Sequence, residues 1–394
     1  MNKKNILTFD CERTVVQFAL FEMPGDLELI KGRIESIGAE ISKFSYVVKD
    51  KHQQEYVNAE KIEVAIKIIK NKIEKLFPEK RITAIGHRVV HGGEKYVSPV
   101  KINDEVIATI SEYYNLAPMH NPYNLAAIRV AEHLWPNIPQ ITCFDTSFHQ
   151  TIPEHIYKKP IPEKFYYENY IRKYGFHGLF HNYALLETSK FLRKPANKLN
   201  LISIYVSRGA SICAIVNGKS YDTSMGFTPL SGIIMTTRCG DIDAEIPLYL
   251  LKLGYTIPEV ENILMKEITI LGVAKKSSVA EVIKNYSKDK NCKLAIDMFI
   301  VRVKKYIGSY YLLMDSKVDA IVFTGDIVSE HPFLRKKIAQ ELYSIGAIID
   351  NKKNDSLGAK EGIFSAPKSK IKLINIPPNG FLIIARLVDN FLKK

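Results

Sequence analysis

The stretch Ile82-Thr83-Ala84-Ile85-Gly86-His87-Arg88-Val89-Val90-His91-Gly92-Gly93-Glu94 decides the fold. Its first part, Ile82–Ile85, has the β-branched, apolar character of a buried strand, and the run then passes through Gly86 into a polar segment closed by two glycines. A strand that delivers Arg88 and His91 to a short loop is the way α/β sheets place working groups at strand ends. Upstream, Ile6–Phe9 and Thr14–Phe21 read as strands. Asn58–Phe77 reads as an amphipathic helix capped by Asn58, because Ile62, Ile66, Ile69, Ile73 and Leu76 recur at spacings of three and four. Downstream, a helix is predicted from Asn121-Pro122 to about Leu134, with an Asn cap and proline in the first turn, followed by a strand at Gln140–Phe144.

A Pro- and Tyr-rich stretch, Pro153–Tyr170, separates this half from a second series of elements. A strand is read at Leu199–Val206, and Asn217-Gly218 between Ile212–Val216 and Lys219–Thr223 predicts a hairpin. Helices at Ile257–Glu267 and Lys293–Asp315 lead to a strand at Ala320–Thr324, a helix at Pro332–Ile345, a strand at Ile371–Ile376 and a final helix. No repeat or low-complexity segment is visible. At 394 residues the chain exceeds the roughly 100–200 residues of one ordinary domain. Two α/β lobes with a cleft are expected: 1–149, joined by the C-terminal helix at about 380–394, and 150–379.

Composition narrows the class. Hydrophobic residues at 46% and charged residues at 25% are those of a soluble globular protein, and no apolar run reaches the roughly 18 residues of a membrane span. The start, Met1-Asn2-Lys3-Lys4, lacks the apolar core of a signal peptide, so a cytoplasmic location and no membrane partner are expected. Cys11, Cys143, Cys213, Cys239 and Cys292 are scattered without a CxxC pair and read as reduced core thiols. The net charge of +13 is spread as lysines along helix faces, not gathered in a basic run interleaved with aromatics, so nucleic acid is not an expected partner.

Candidate working groups lie at predicted strand ends or in short loops: Arg88 and His91, Asp145 and His149, His177 in Tyr174-Gly175-Phe176-His177-Gly178, and Arg238 before Gly240-Asp241. Two arginines, a carboxylate and a histidine suit phosphoryl transfer, because the migrating group is anionic and spreads its charge over equatorial oxygens. Each residue alone is as readily a structural hydrogen-bonder or a turn cap.

Together these segments resemble the acetate kinases of the acetokinase family, over essentially the whole chain. The motifs that carry the resemblance are Gly86–Tyr96, Leu116–Pro122, Phe144–Thr151, Tyr174–Gly178, Gly209–Ile215, Asn217–Pro229 and Thr237–Asp243. The resemblance implies an α/β, actin/sugar-kinase (ribonuclease H-like) fold, each lobe a mixed β-sheet flanked by helices. It implies a homodimer through the second lobe and reversible phosphoryl transfer between ATP and acetate with Mg²⁺. Under it, Arg88 and Arg238 bind the acyl phosphate, Asp145 sits at the reacting carboxylate and His177 stabilises the transition state. Val90, Met119 and Pro229 fall where the family lines its acyl pocket, with methionine at 119 in place of the usual leucine.

The nucleotide side departs from the pattern. The family's N-x-G-S-S-S-L-K turn matches Asp10-Cys11-Glu12-Arg13-Thr14-Val15-Val16-Gln17, where Thr14 alone keeps a serine-like hydroxyl and Asp10 remains a candidate Mg²⁺ ligand. Arg13 and Val15 replace serines, and Gln17 replaces the lysine. The H-x-G-N-G segment is Tyr205-Val206-Ser207-Arg208-Gly209, so only Gly209 keeps close backbone approach. The G-I-G-E-N loop is Asp326-Ile327-Val328-Ser329-Glu330. An aspartate facing phosphate there costs about 3 kcal/mol for unit charges ~5 Å apart at an effective dielectric of about 20. Val279 and Glu281 replace the D-x-R pair, and Gly380 replaces the metal-linked glutamate. Three readings stay open: a divergent kinase acting on ATP/ADP and a short-chain acyl phosphate, a pseudokinase that binds acyl phosphate as a sensor, and an acyl-phosphate phosphatase or user of another donor.

Overall fold

The computed structural model describes residues 3–393, and the chain divides into two compact units, 1–148 with 379–394, and 149–378. The first is built on an eight-stranded sheet of order β5-β4-β3-β2-β1-β6-β8-β7. Its strands are β1 (Lys4–Glu12), β2 (Val15–Met23), β3 (Leu27–Glu35), β4 (Ser42–Val48), β5 (Lys51–Val57), β6 (Ile82–Val89), β7 (Val100–Lys101) and β8 (Gln140–Phe144). The antiparallel meander from β1 to β5 comes from short turns. Glu12 pairs with Val15, so Arg13-Thr14 alone closes the first hairpin. β1, β6 and β8 run parallel, joined by crossovers that carry α1 (Ile62–Leu76), and then α2 (Asp104–Glu112) and α3 (Asn121–Leu134).

Helix α1 lays Ala65, Ile66, Ile69 and Ile73 into a core shared with Leu7, Phe9, Phe18, Leu20 and Phe44. It begins later than the sequence reading placed it. Asn58 follows directly on β5, residues 58–61 turn the chain, and Lys61 holds the cap position without a side-chain bond. The cap expected of Asn121 is absent as well. Asn121 is the first helical residue of α3, after His120, and its amide is turned inward. The C-terminal helix, Gly380–Phe391, packs on this unit. A Cβ at Gly86 would sit 2.6 Å from Ile384 Cγ2, so the bare backbone of β6 lets the helix approach.

The second unit repeats the plan without visible repetition in sequence. Its sheet has the order β11-β10-β9-β12-β14-β13, with β9 (Leu201–Val206), β10 (Ala210–Val216), β11 (Lys219–Thr223), β12 (Ala320–Thr324), β13 (Gly362–Ile363) and β14 (Lys372–Asn375). An antiparallel hairpin pair beside three parallel strands, β9, β12 and β14, reproduces the arrangement of β3-β2-β1-β6-β8. Asn217 and Gly218 close the β10–β11 hairpin at φ 49° and 73°, the two positive values such a turn demands. Helix Lys290–Leu313 buries Ala295, Phe299, Val303 and Ile307 in this unit's core. Two helices read as continuous are broken: Ile257–Asn262 widens into a π-type turn at 263–267, and Pro332–Ala339 ends before a separate 3₁₀ turn at 342–345. All five cysteines are buried free thiols, and among the described residues no helix is long and apolar enough to cross a membrane.

Candidate functional site

In the first unit, the carboxyl ends of β1, β6 and β8 converge because the three strands are parallel neighbours. Each delivers one charged group: Asp10 near the end of β1, Arg88 near the end of β6, and Asp145 just after β8, where its amide donates to Val89 O at 3.0 Å. The Arg88 guanidinium donates from Nε and Nη2 to the two oxygens of Asp145 (3.3 and 2.5 Å) and from Nη1 to Asp10 Oδ2 (2.6 Å). The fork matches the carboxylate geometry, and with Arg88 14%, Asp10 12% and Asp145 1% exposed, water screens these bonds little.

The loop after β6 is held by two asparagines one helical turn apart on α3. Asn124 Oδ1 accepts from Val90 N (3.2 Å), and its amide donates to Cys11 O (2.7 Å). Asn121 accepts from His91 N (3.1 Å) and donates to His91 O (3.0 Å) and Ile110 O (3.2 Å). Sequence reading missed both roles, although two buried asparagines at i and i+3 on one helix face signal such a clamp. His91 is no working group. It is buried, stacked on Tyr113 at 4.9 Å, and its Nδ1 accepts from Gly93 N, while burial lowers its pKa to about 3. His149 is likewise built in, between Ser220 Oγ (2.8 Å) and Phe176 O (3.0 Å), with burial lowering its pKa to about 4. Val90 is buried beside Arg88, whereas Met119 is exposed.

In the second unit, His177, Gly209 and Arg238 come together. His177 takes a left-handed conformation (φ 60°, ψ 20°) as the residue before helix Gly178–Leu192, a state uncommon for a non-glycine residue. A Cβ on Gly209 would lie 3.1 Å from His177 Nε2 and 3.2 Å from Arg238 Nη1, so a side chain here would press on both groups, which glycine leaves in place. Tyr205 packs its ring on His177 at 4.5 Å and on Phe180 at 4.6 Å. Arg238 Nη1 also reaches Met235 Sδ at 3.7 Å. Pro229 lies half-buried in the 226–232 turn of the same unit.

The positions at which the sequence reading departs from the family pattern fall at turns, at strand ends and in the first turns of helices. Arg13 and Thr14 are exposed in the β1–β2 turn, with Val15 and Gln17 beginning β2. Two substituted motifs meet each other in the second unit: Ser207 Oγ donates to Asp326 Oδ2 at 3.0 Å, joining the ends of β9 and β12. Arg208 is exposed, and its carbonyl accepts from Thr236 Oγ1 at 2.5 Å. Val328 is buried, and the fully buried Arg335 holds the Val328 and Ser329 carbonyls at 3.0 and 2.5 Å. Val279 and Ile327 border a cavity of only about 10 Å³, while Glu281 turns back to accept from Ser277 Oγ (3.2 Å) at the start of its own helix. Among the described residues no three His, Cys, Asp or Glu side chains are grouped to hold a metal ion. Asp10 and Asp145 still offer two hard carboxylates on one guanidinium, a donor set that Mg²⁺ accepts when water and phosphate oxygens complete its shell. Gly380 brings no ligand.

Comparison with known proteins shows the family. The model of the acetokinase family matches residues 5–386. The chain is 41% identical over 387 residues to an acetate kinase of Bacillus cytotoxicus, covering 97% of each chain. It is 41% identical over 396 residues to an acetate kinase of Carboxydothermus hydrogenoformans, again covering 97% of each. The crystal structure of Porphyromonas gingivalis acetate kinase superposes with a TM-score of 0.92 at 33% identity, covering 99% of this chain and 100% of that one. A propionate kinase from Francisella tularensis superposes at 0.91 with 36% identity, covering 98% of both. The chain belongs to the acetokinase family, and its two α/β units with mixed sheets have the fold expected of the actin/sugar-kinase superfamily.

The buried histidines give a pH prediction. Burial lowers the pKa of His87 to about 4, His91 to about 3 and His149 to about 4. On acidification below about 6.5 the unfolded chain therefore binds protons that the folded chain refuses, and stability falls until the lowered values are reached. Each ring steepens the loss by up to about 1.4 kcal/mol per pH unit. Urea unfolding at stepped pH is expected to show this slope, and His91→Asn to reduce it by about one proton.

Proposed function

We propose that this member of the acetokinase family transfers a phosphoryl group between a short-chain acyl phosphate and a nucleotide, with an intact acyl-phosphate side and an altered nucleotide side. The observation that carries the reading is Arg88, held by Asp10 and Asp145 at the ends of three parallel strands. A preoriented guanidinium binds a phosphoryl oxygen or a carboxylate without having to be ordered first. The relatives, named as acetate and propionate kinases, support a small acid as substrate.

In the forward direction a carboxylate oxygen of the acid attacks phosphorus, the bond to the nucleotide's leaving oxygen breaks, and acyl phosphate and the shortened nucleotide result. Arg88 and Arg238 would bind the anionic groups, Asp145 would orient Arg88 beside the acid, and His177 would donate to an equatorial oxygen. Val90 and Met119 in the first unit, and Pro229 in the second, are the residues that the family resemblance assigns to the acyl group. Asp10, with Asp145, would hold Mg²⁺, which when bound offsets phosphate charge. Thr14 and Gly209 would be the remaining phosphate contacts of the nucleotide. Two features support weak nucleotide binding: the Ser207–Asp326 hydrogen bond between the two departing motifs and the acidic charge of Asp326. These same features favour the second reading, a pseudokinase that binds acyl phosphate without turnover.

The exposed apolar side chains Ile246, Leu248, Tyr249, Leu251 and Leu253 on and after helix Glu245–Lys252 support a homodimer through the second unit, since clustered exposed apolar residues mark interaction surfaces. Light scattering is expected to return twice the 44.8 kDa chain mass, and a single-chain mass contradicts the dimer. Phosphorus NMR of the protein with acetyl phosphate and Mg²⁺, before and after ADP, tests the reaction. ATP growing in proportion to protein, and lost in Arg238→Ala, is the expected result. Persistence of acetyl phosphate favours the pseudokinase, and its hydrolysis without ADP indicates a phosphatase.

A further inference from the structure

His177 is one end of a chain of hydrogen bonds that runs into the core of the second unit. Its Nδ1 lies 2.9 Å from Ser211 Oγ, the same hydroxyl lies 2.9 Å from His181 Nε2, and His181 Nδ1 lies 2.9 Å from Ser203 Oγ. Ser203, Ser211 and His181 are fully buried. Each is fixed by regular structure: Ser203 on β9, Ser211 on the paired strand β10, and His181 one turn into the helix that His177 precedes.

The protons in this chain can be counted. A neutral imidazole carries one ring proton, so it donates at one nitrogen and accepts at the other, and a serine hydroxyl donates only one bond. Burial pushes the pKa of His181 well below its usual value, so this ring is neutral. With His177 also neutral, two arrangements satisfy all three bonds. In one, Ser203 donates to His181 Nδ1, His181 donates from Nε2 to Ser211, and Ser211 donates to His177 Nδ1, which leaves the His177 proton on Nε2. In the other, every bond is reversed and the His177 proton sits on Nδ1.

Ser203 distinguishes them. Among the described residues its hydroxyl has no hydrogen-bond partner except His181. In the reversed arrangement it would accept from His181 and leave its own proton buried without an acceptor, a state that folded proteins avoid. In the first arrangement every proton in the chain has an acceptor as far as His177. We infer that Ser203, acting through His181 and Ser211, holds His177 as the Nε2–H tautomer, so that the ring presents a neutral hydrogen-bond donor on the side of Gly209 and Arg238. Ser203, Ser211 and His181 are then positioning residues. The consequence for phosphoryl transfer rests on the function proposed above: a donor already in place serves a phosphoryl oxygen without a prior protonation step.

The tautomer is read without substrate or turnover. Protein labelled with ¹⁵N-histidine is examined by NMR at neutral pH, with His177→Gln and His181→Gln assigning the rings. The expected result is that both rings carry their proton on Nε2 and show Nδ1 as an acceptor. A proton on Nδ1 of either ring overturns the inference. Ser203→Ala is expected to leave His177 a mixture of tautomers, and unchanged His177 signals in a folded Ser203→Ala protein would also overturn it. If that variant fails to fold, the wild-type spectrum decides alone. Where phosphoryl transfer is measurable, kcat should fall by at least about tenfold in Ser203→Ala, less than the roughly hundredfold cost of deleting a donor. KM for acyl phosphate should stay unchanged, and Ser203→Thr should restore kcat. Absence of phosphoryl transfer would count against the proposed reaction and leave the tautomer result standing.

Discussion

The pairing of Arg88 with Asp10 and Asp145 is the constraint on which the first unit's working end depends. An arginine withdrawn this far from water needs carboxylates, and removing one partner of such a buried pair typically costs about 3–5 kcal/mol. The sheet supplies them by topology, because β1, β6 and β8 are parallel neighbours and their ends carry Asp10, Arg88 and Asp145 to one place. Asn121 and Asn124 then tie the following loop to α3, and Asn124 also reaches back to Cys11 O beside Asp10. The pairing has a further effect. With Asp10 present, a second carboxylate occupies the guanidinium that an anionic substrate would approach.

The second unit repeats the strand order and uses its parallel strand ends differently. Ser207 opens the turn after β9, and Asp326 follows β12; the two bond to each other, and Arg335 holds the carbonyls just beyond Asp326. His177 and Arg238, by contrast, face the bare backbone of Gly209. Ser207 and Asp326 thus tie the ends of β9 and β12 together by an exposed side-chain hydrogen bond.

The fully buried strands were legible because their apolar runs are short and bounded: Gln140–Phe144 and Ala320–Thr324 fall where the sequence placed them. Strands β3, β4 and β5 were not. β5 is an edge strand that buries no residue, so no alternation marks it, and Gly32 interrupts β3 where Ser45 O and Tyr46 press in from β4. Helix Gly178–Leu192 was missed for the opposite reason, since it buries His181, Glu187 and Thr188 along with its leucines and shows no clean polar face. In the site, the charged residues were legible as motif positions. The groups that aim them were not, because Asn121, Ser203 and Ser211 are ordinary residues whose meaning comes only from the partners that folding brings to them.

Whether Arg88 is the anion-binding group of this protein is tested most directly by calorimetric titration of acetyl phosphate, without nucleotide, into the wild type, Arg88→Ala and Asp10→Asn. The expected result is saturable binding to the wild type, none to a folded Arg88→Ala, and binding about tenfold tighter to Asp10→Asn, the change that about 1.4 kcal/mol of relieved competition produces. Binding to Arg88→Ala that matches the wild type would contradict the role assigned to the guanidinium and, with it, the reading of the first unit as an acyl-phosphate site.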